Sequence, residues 1–173
     1  MSMSPARPGE IVSAIDPAVD ADDARLIFIG HIESPWRSRA AAPKNPNEAR
    51  ALGKSAVVHV DAPWRAGLTG IEAFSHIIVL YWMHEARRDV IVQAPRHAPE
   101  PRGVFALRSP VRPNPIALAV VRLLSVDREA GELGIDAIDC LDGTPLLDIK
   151  PYRPGIDAFP DAVTGLARDP AGD

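Results

Sequence analysis

The residues of this sequence best suited to chemistry lie in one proline-rich stretch, residues 102–118. Arg108 and Arg112 carry planar guanidinium groups with several donors, which suit carboxylate, phosphate or carbonyl oxygens. Prolines at positions 110, 113 and 115 fix φ and restrict the residue before each of them. A loop stiffened in this way loses less entropy on binding. The stretch therefore predicts a rigid polar binding loop, with a plain surface turn carrying hydrated arginines as the alternative.

The elements that would position this loop are strands. Runs rich in β-branched, aromatic or aliphatic residues occur at residues 25–30, 55–60, 75–84, 89–93, 116–127, 132–138 and 145–149. Residues 75–84 have apolar side chains on both faces, which predicts a central strand. Residues 67–74 predict a turn or one short helix. Six to eight strands with few helical stretches predict an all-β (mainly β) fold, a single closed or nearly closed β-barrel with a few short helices.

The barrel is expected to occupy residues 25–157, with a loose segment at each end. Residues 1–24 are rich in Ser, Pro, Ala and Asp without a periodic apolar pattern, which predicts a loose N-terminal tail. Residues 158–173 are polar and contain Gly and Pro, which predicts a loose C-terminal tail. A chain of 173 residues is long enough for one such domain with its own core.

Composition predicts a cytoplasmic protein with no membrane partner. The single cysteine, Cys140, excludes an internal disulfide and fits a reducing compartment. No apolar run reaches the roughly 20 residues that a membrane helix needs. The net charge is −4, but the middle of the chain is basic, because residues 84–125 hold seven arginines against three acids. That distribution permits a polyanionic partner without requiring one.

The histidines and acids predict no metal site. His76 and His84 face the same way, but eight residues of strand would separate them by ~26 Å. His31, His59 and His97 show no spacing typical of metal ligands.

Covalent catalysis and the common nucleotide loops are also unsupported. Cys140 lies beside Asp139 and near Asp142, an anionic setting that raises a thiol pKa. The sequence has no Gly-x-Ser-x-Gly. It also lacks Gly-x-Gly and Gly-Lys-Ser/Thr, so a cofactor with an adenosine moiety would need another architecture.

Several polar groups remain at predicted strand ends and loops. They are Lys44 with Asn45, His84 with Glu85, and residues 139–144, besides the arginine loop. Each group alone is more often structural, and Asp142-Gly143 is usually just a turn. Together they predict a polar pocket at one rim of the barrel. The composition of the chain does not identify the ligand of this pocket.

Four segments resemble a known family in their order and spacing. They are GHIESP at residues 30–35, GLTGIEAFSH at 67–76, GVFALRSPVRPNPIAL at 103–118 and DCLDGTPLLDIKPY at 139–152. Over about residues 26–157 the chain resembles the TrmO (YaeB-like) methyltransferases. That family uses S-adenosylmethionine to methylate the N6 nitrogen of threonylcarbamoyl-adenosine next to the tRNA anticodon. The resemblance implies a β-barrel with its cofactor near a homodimer interface, so tRNA and a second copy are the expected partners.

The resemblance also implies site residues. Carried over position by position, it implies cofactor contacts at Pro43, Lys44, Asn45, His84, Glu85, Arg108, Leu118, Asp142, Gly143 and Thr144. Lys44-Asn45 stand where the family commonly has Arg-Gln, and Glu85 stands where it commonly has Gln. These positions overlap the polar groups found above from the residues alone.

Transfer of a methyl group from a sulfonium needs in-line approach, so positioning should dominate catalysis. The carbamoylated nitrogen must also lose a proton, which His84, Tyr81 or Asp142 could accept or orient. Arg108 or Arg112 could hold a substrate carboxylate or an anionic carbonyl oxygen.

Two other functions stay open. The same cofactor could serve another RNA or adenosine-containing substrate, or the barrel could bind S-adenosylmethionine or RNA without catalysis.

Overall fold

The computed structural model describes residues 6–94 and 100–163. Its strands are β1 (Ile11–Val12), β2 (Gly30–Glu33), β3 (Ala56–Val60), β4 (His76–Trp82), β5 (Val90–Gln93), β6 (Arg102–Gly103), β7 (Ile116–Asp127), β8 (Glu132–Ile135) and β9 (Thr144–Pro151). The helices are α1 (Pro17–Asp20), α2 (Pro46–Ala51) and α3 (Pro154–Asp157), with 3₁₀ turns at Ala62–Leu68, Ile71–Ala73 and Val104–Ala106. No helix in these two ranges is long and apolar enough to span a membrane.

Six strands close into an antiparallel barrel in the order β2-β3-β8-β7-β4-β9. Strands β1, β5 and β6 form a separate three-stranded sheet. The predicted all-β closed barrel with a few short helices is confirmed. The expected central strand is β4, which pairs with β7 along one edge and with β9 along the other.

The barrel closes around inward-facing side chains that alternate along each strand. On β4, Ile77 and Val79 are fully buried and Tyr81 is 2% exposed, while the residues between them are half-buried. Val58 from β3 and Leu133 from β8 fill the same core. Burial at about 25 cal/mol per Å² of apolar surface favours this closed form, because any register slip would turn the apolar set outward.

Residues 34–52, here termed the cap segment, pack against one side of the barrel. The indole Nε1 of Trp36 donates to the carbonyl of Ile138 at 2.7 Å, and both residues are buried. From α2, Arg50 Nε donates to Asp136 Oδ2 at 2.8 Å and its Nη2 donates to the Val120 carbonyl at 2.6 Å. A buried aromatic anchor and a bridging arginine therefore hold the cap segment in place.

The predicted strand at residues 25–30 is wrong in position. The strand begins at Gly30, and Leu26 and Ile27 are each 61% exposed. The reason is the register: Gly30 pairs with Val60, the last residue of β3. On the β3 side, a strand over residues 25–29 would have to pair with residues beyond Val60, and those form the 3₁₀ turn Ala62–Leu68.

The predicted loose ends contain some regular structure. Within residues 1–24, β1 pairs with β5 and α1 forms one turn capped by the Asp16 side chain. Residues 1–5, 164–173 and His97 lie outside the described residues. The domain bounds at 25 and 157 stay predictions.

Gly30 occupies a position that leaves no room for a side chain. A Cβ there would lie 1.8 Å from the carbonyl oxygen of His59 on β3. We expect Gly30→Ala to lower the free energy of unfolding by about 3 kcal/mol, because the β2–β3 pair would have to separate. Urea denaturation followed by circular dichroism measures this loss.

Gly67→Ala is the matched control. A Cβ at Gly67 meets no atom within 4 Å, and its backbone needs no left-handed φ. This variant should stay within about 0.5 kcal/mol of the parent. Equal stability of the two variants would contradict the close approach of β2 to β3.

Candidate functional site

One cavity of about 820 Å³ opens between the cap segment and the barrel. Its wall takes residues from the cap segment, from the end of β4 and the turn after it, from the arginine loop with the start of β7, and from residues 139–144. The lining residues are Arg39, Ala42, Pro43, Lys44, Asn45, Pro46, Tyr81, Met83, His84, Glu85, Ala86, Phe105, Leu107, Arg108, Ser109, Pro110, Arg112, Ile116, Ala117, Leu118, Asp139, Leu141 and Thr144.

This cavity brings together most of the residues that the sequence predicts for a site. Those on its wall are Pro43, Lys44, Asn45, Tyr81, His84, Glu85, Arg108, Arg112, Leu118 and Thr144. They come from segments about a hundred residues apart in the chain, which barrel closure places side by side. The individual cofactor-binding and catalytic roles stay predictions.

Asp142 and Gly143 are not on the cavity wall. The Asp142 carboxylate accepts from Arg37 Nη1 at 2.5 Å and from the Ser34 amide at 3.1 Å. The Gly143 amide donates to the Ile32 carbonyl at 2.9 Å, with φ of 75°. These contacts fasten the turn before β9 to the end of β2. The simpler interpretation of Asp142-Gly143 as a turn fits this geometry, and the proton-accepting role considered for Asp142 does not.

Tyr81 and Asp139 form a hydrogen-bonded pair on the wall. The Tyr81 hydroxyl donates to Asp139 Oδ1 at 2.7 Å. Burial raises the pKa of the Tyr81 phenol far above its ordinary value, and the negative charge of Asp139 adds to the increase. Tyr81 therefore stays protonated at neutral pH and acts as a donor, which removes it as a proton acceptor. Sequence reasoning left Asp139 out of the proposed catalytic set, although it opens the segment 139–144.

Arg112 braces the loop that carries it. Its Nε donates to the Ser109 carbonyl at 2.8 Å, and its Nη2 donates to the carbonyls of Val104 and Leu107. The guanidinium thus satisfies three carbonyls within its own loop. Its main contribution is to the shape of the loop, and the predicted contact of Arg112 with a substrate stays a prediction.

Arg108 extends from the same loop across to β7. Its Nη2 donates to the Leu118 carbonyl at 3.1 Å, and the side chain is exposed. Its positive charge acts on Tyr81, where it partly offsets the effect of Asp139 on the phenol. Arg108 therefore presents a cation at the wall close to the Tyr81–Asp139 pair.

The cavity carries more positive than negative groups. The cations on its wall are Arg39, Lys44, Arg108 and Arg112, and the carboxylates are Glu85 and Asp139. Phe105, also on the wall, is 85% exposed, a residue that the sequence analysis did not single out. This combination of excess positive charge and an exposed ring suits an anionic ligand with a flat apolar part.

Metal binding has no support in residues 6–94 and 100–163. None of the histidine, cysteine and carboxylate groups there form a cluster of three that could hold an ion. His31 and His59 stack at 4.7 Å between ring centroids on paired strands, and His59 Nε2 lies 3.1 Å from Glu33 Oε2.

Cys140 is fully buried, and burial raises the pKa of its thiol to about 12. Because the thiol is protonated at every pH below that value, it should not act as a nucleophile in the folded protein. At pH 8 we expect iodoacetamide to leave the native chain unmodified over an hour and to alkylate it fully in urea. Intact-mass analysis reads this directly, since the chain has one cysteine. Rapid native alkylation would show that the thiol is accessible.

Replacing Arg112 tests the bracing of the loop. Arg112→Lys keeps the charge but cannot span three carbonyls, and each lost charge-assisted bond is worth about 1.5 kcal/mol. We expect the amides of residues 104–112 to exchange with deuterium at least tenfold faster. Arg122→Lys, at an exposed position on β7, is the control and should leave that exchange unchanged. Unaltered protection in Arg112→Lys would mean that the prolines alone hold the loop.

The comparisons with known proteins agree on one family. The model of the tRNA-methyltransferase O N-terminal domain matches residues 31–158. The chain is 45% identical over 132 residues to a probable S-adenosyl-L-methionine-binding protein, VirR, of Rhizobium radiobacter, covering 76% of this chain and 72% of that protein. It is 36% identical over 148 residues to the tRNA (adenine(37)-N6)-methyltransferase of Escherichia coli, covering 81% and 62%.

A solved structure supports the same assignment. TrmO from Pseudomonas aeruginosa superposes with a TM-score of 0.68 at 36% identity, covering 85% of this chain and 64% of that one. The chain thus spans less than two thirds of the Escherichia coli enzyme and of this structure. Family match, sequence identity and barrel architecture coincide over the same residues. The chain belongs to the tRNA-methyltransferase O family and matches its N-terminal domain.

Proposed function

We propose that this protein is an S-adenosylmethionine-dependent methyltransferase that acts on the N6 nitrogen of threonylcarbamoyl-adenosine next to the anticodon in tRNA. The observation that carries the proposal is the single cavity on which Lys44, His84, Arg108, Leu118 and Thr144 meet. The family resemblance implies these positions as cofactor contacts. The names of relatives support the proposal. One of these relatives is the tRNA (adenine(37)-N6)-methyltransferase of Escherichia coli.

The residues of the cavity fit S-adenosylmethionine. Its volume, about 820 Å³, lies within the range typical of cofactor sites. Glu85 would supply a carboxylate for the cationic sulfonium and amino groups, and the cap segment with Arg108 would hold the rest of the molecule. When bound, the cofactor supplies an electrophilic methyl group. The chain's own residues supply binding and orientation.

A tRNA substrate accords with the charge around the cavity. Four cations against two carboxylates face the opening, so a polyanion would be attracted to it. Phe105, exposed at the wall, offers a ring on which a base can stack.

A homodimer and a cytoplasmic location complete the proposal. Ile116 and Leu118 are 42% and 41% exposed on β7 beside the cavity, which is an unusual place for free apolar side chains. A second copy packed there would cover them and border the cofactor, as the family resemblance implies. Light scattering of the purified chain at micromolar concentration tests the stoichiometry, and a monomer mass would count against the dimer.

The direct test is methyl transfer to tRNA. Purified protein is incubated with S-adenosylmethionine and tRNA that carries threonylcarbamoyl-adenosine, and the digested nucleosides are analysed by mass spectrometry. We expect this nucleoside to gain one methyl group. tRNA that lacks the threonylcarbamoyl group is the matched control and should gain none. Methylation of the control instead would redirect the proposal to another adenosine-containing substrate.

Arg108→Ala tests the central cation of the site. Loss of a charge-assisted contact to the cofactor or the substrate should lower kcat/KM at least tenfold, since such bonds contribute about 1.5–3 kcal/mol. Arg122→Ala, an exposed arginine on β7 away from the cavity wall, is the control and should keep full activity. Unchanged cofactor affinity and methyl transfer in Arg108→Ala would remove Arg108 from the site.

A second candidate is a barrel that binds S-adenosylmethionine without catalysis. It is favoured by the names of several relatives, among them the binding proteins of Rhizobium radiobacter and Methanothermobacter thermautotrophicus. Calorimetric binding of the cofactor, without methylation of any tRNA tested, would favour this alternative. Steep salt dependence of tRNA binding without turnover would point instead to an RNA-binding module.

A further inference from the structure

We propose that Asp139 is the proton acceptor of this site and that Tyr81 is its positioning residue. The inference rests on the methyltransferase function proposed above and assigns the proton that the substrate nitrogen must lose. Neither role follows from the family resemblance, which implied cofactor contacts at other positions.

The carboxylate of Asp139 is held from one side only. Its Oδ1 accepts the Tyr81 hydroxyl at 2.7 Å, and within the described ranges no further hydrogen bond to this carboxylate is formed. Asp139 lines the cavity and is half-buried. One oxygen is therefore fixed by the protein, while Oδ2 remains available to a ligand.

Tyr81 is built to fix that orientation. It is 2% exposed, and its ring is part of the barrel core with Val79 from the same strand. Because the ring cannot move without opening the core, the hydroxyl defines where Asp139 Oδ1 lies. The contact joins β4 to a residue 58 positions later, in the segment that leads into β9.

The other candidate acceptors are less well placed. Asp142 is already bound by Arg37 and by the Ser34 amide. His84 and Glu85 lie on the wall, but both are exposed in the turn after β4. A fixed, half-buried carboxylate meets the geometric need of general-base catalysis better than an exposed side chain.

Several charged and titratable groups share the cavity with Asp139 and will shape its pH response. They are Tyr81 on β4, His84 and Glu85 in the following turn, Arg108 and Arg112 in the arginine loop, and Arg39 and Lys44 in the cap segment. The buried thiol of Cys140 is next to Asp139 in the chain but is not on the cavity wall. Four of these groups are cations, so the carboxylate of Asp139 lies in a wall that carries net positive charge.

The electron pair of the substrate nitrogen forms a bond to the methyl carbon, and the carbon–sulfur bond breaks with its pair moving to sulfur, which leaves a neutral thioether. The proton on that nitrogen passes to Oδ2 of Asp139. One cation and one carboxylate become two neutral groups, so no further reactant is needed.

The main test is Asp139→Asn, which keeps the shape and the Tyr81 contact but cannot accept a proton. With saturating S-adenosylmethionine and modified tRNA, we expect kcat to fall by about 10²–10⁴-fold, the usual contribution of a general base. Cofactor affinity, measured by calorimetry, should stay within about twofold, and the acidic limb of the kcat–pH profile should disappear. Asp161→Asn, an exposed carboxylate outside the cavity, is the matched control and should leave all three measurements unchanged.

Tyr81→Phe tests positioning. Without the hydroxyl, the carboxylate of Asp139 loses the donor that fixes its Oδ1. At neutral pH kcat should fall about tenfold, with KM for tRNA within about twofold. A purely structural role would lower stability without separating kcat from KM in this way.

Two results with Asp139→Asn would overturn the inference alone, and a third with the wild type would overturn it together with the proposed function. Full kcat in Asp139→Asn, in a preparation whose wild type is active, rejects Asp139 as the acceptor and leaves the proposed function intact. Weakened cofactor binding in Asp139→Asn, with normal kcat at saturation, assigns the carboxylate to holding the cofactor instead. Absence of methyl transfer by the wild type rejects the proposed function itself, and the inference with it.

Discussion

The structure depends on the double pairing of β9, which bonds to β4 along one edge and to β2 along the other. This pairing closes the barrel, and it also brings the segment before β9 to the end of β4. Asp139 and Thr144 thereby line one cavity together with Tyr81 and Arg108. The site is thus a product of topology, because none of these side chains is near the others in sequence.

The two arginines that dominate the proline-rich loop have separate tasks. The guanidinium of Arg112 donates hydrogen bonds to carbonyls of the loop itself. Arg108 reaches β7 and presents its charge to the cavity. Sequence alone treats them as equivalent, since both are guanidinium groups flanked by prolines. Preorganisation by one residue lets the other act with little loss of entropy on binding.

Much of the fold and of the pocket could be predicted, because alternation along residues 75–84 and the motif at 103–118 are local signals. The direction in which individual side chains point could not be predicted. Asp139 and Asp142 are three residues apart on one turn, and only the contacts with Tyr81 and Arg37 show which carboxylate faces the cavity. Similarly, residues 25–29 have strand-like composition, but the residues beyond β3 that would pair with them form a 3₁₀ turn.

The bracing of the arginine loop has a consequence for how such a site can diverge. Arg112 bonds to carbonyls only three to eight positions away, so much of the shape of the loop is encoded within the loop itself, while Arg88 holds its later part at the Pro113 carbonyl. Exposed positions on it, such as Phe105, contribute little to the hydrophobic core. Substitutions there can alter which ligand is preferred while stability and topology stay constant, which makes this loop the natural unit for acquiring new specificity.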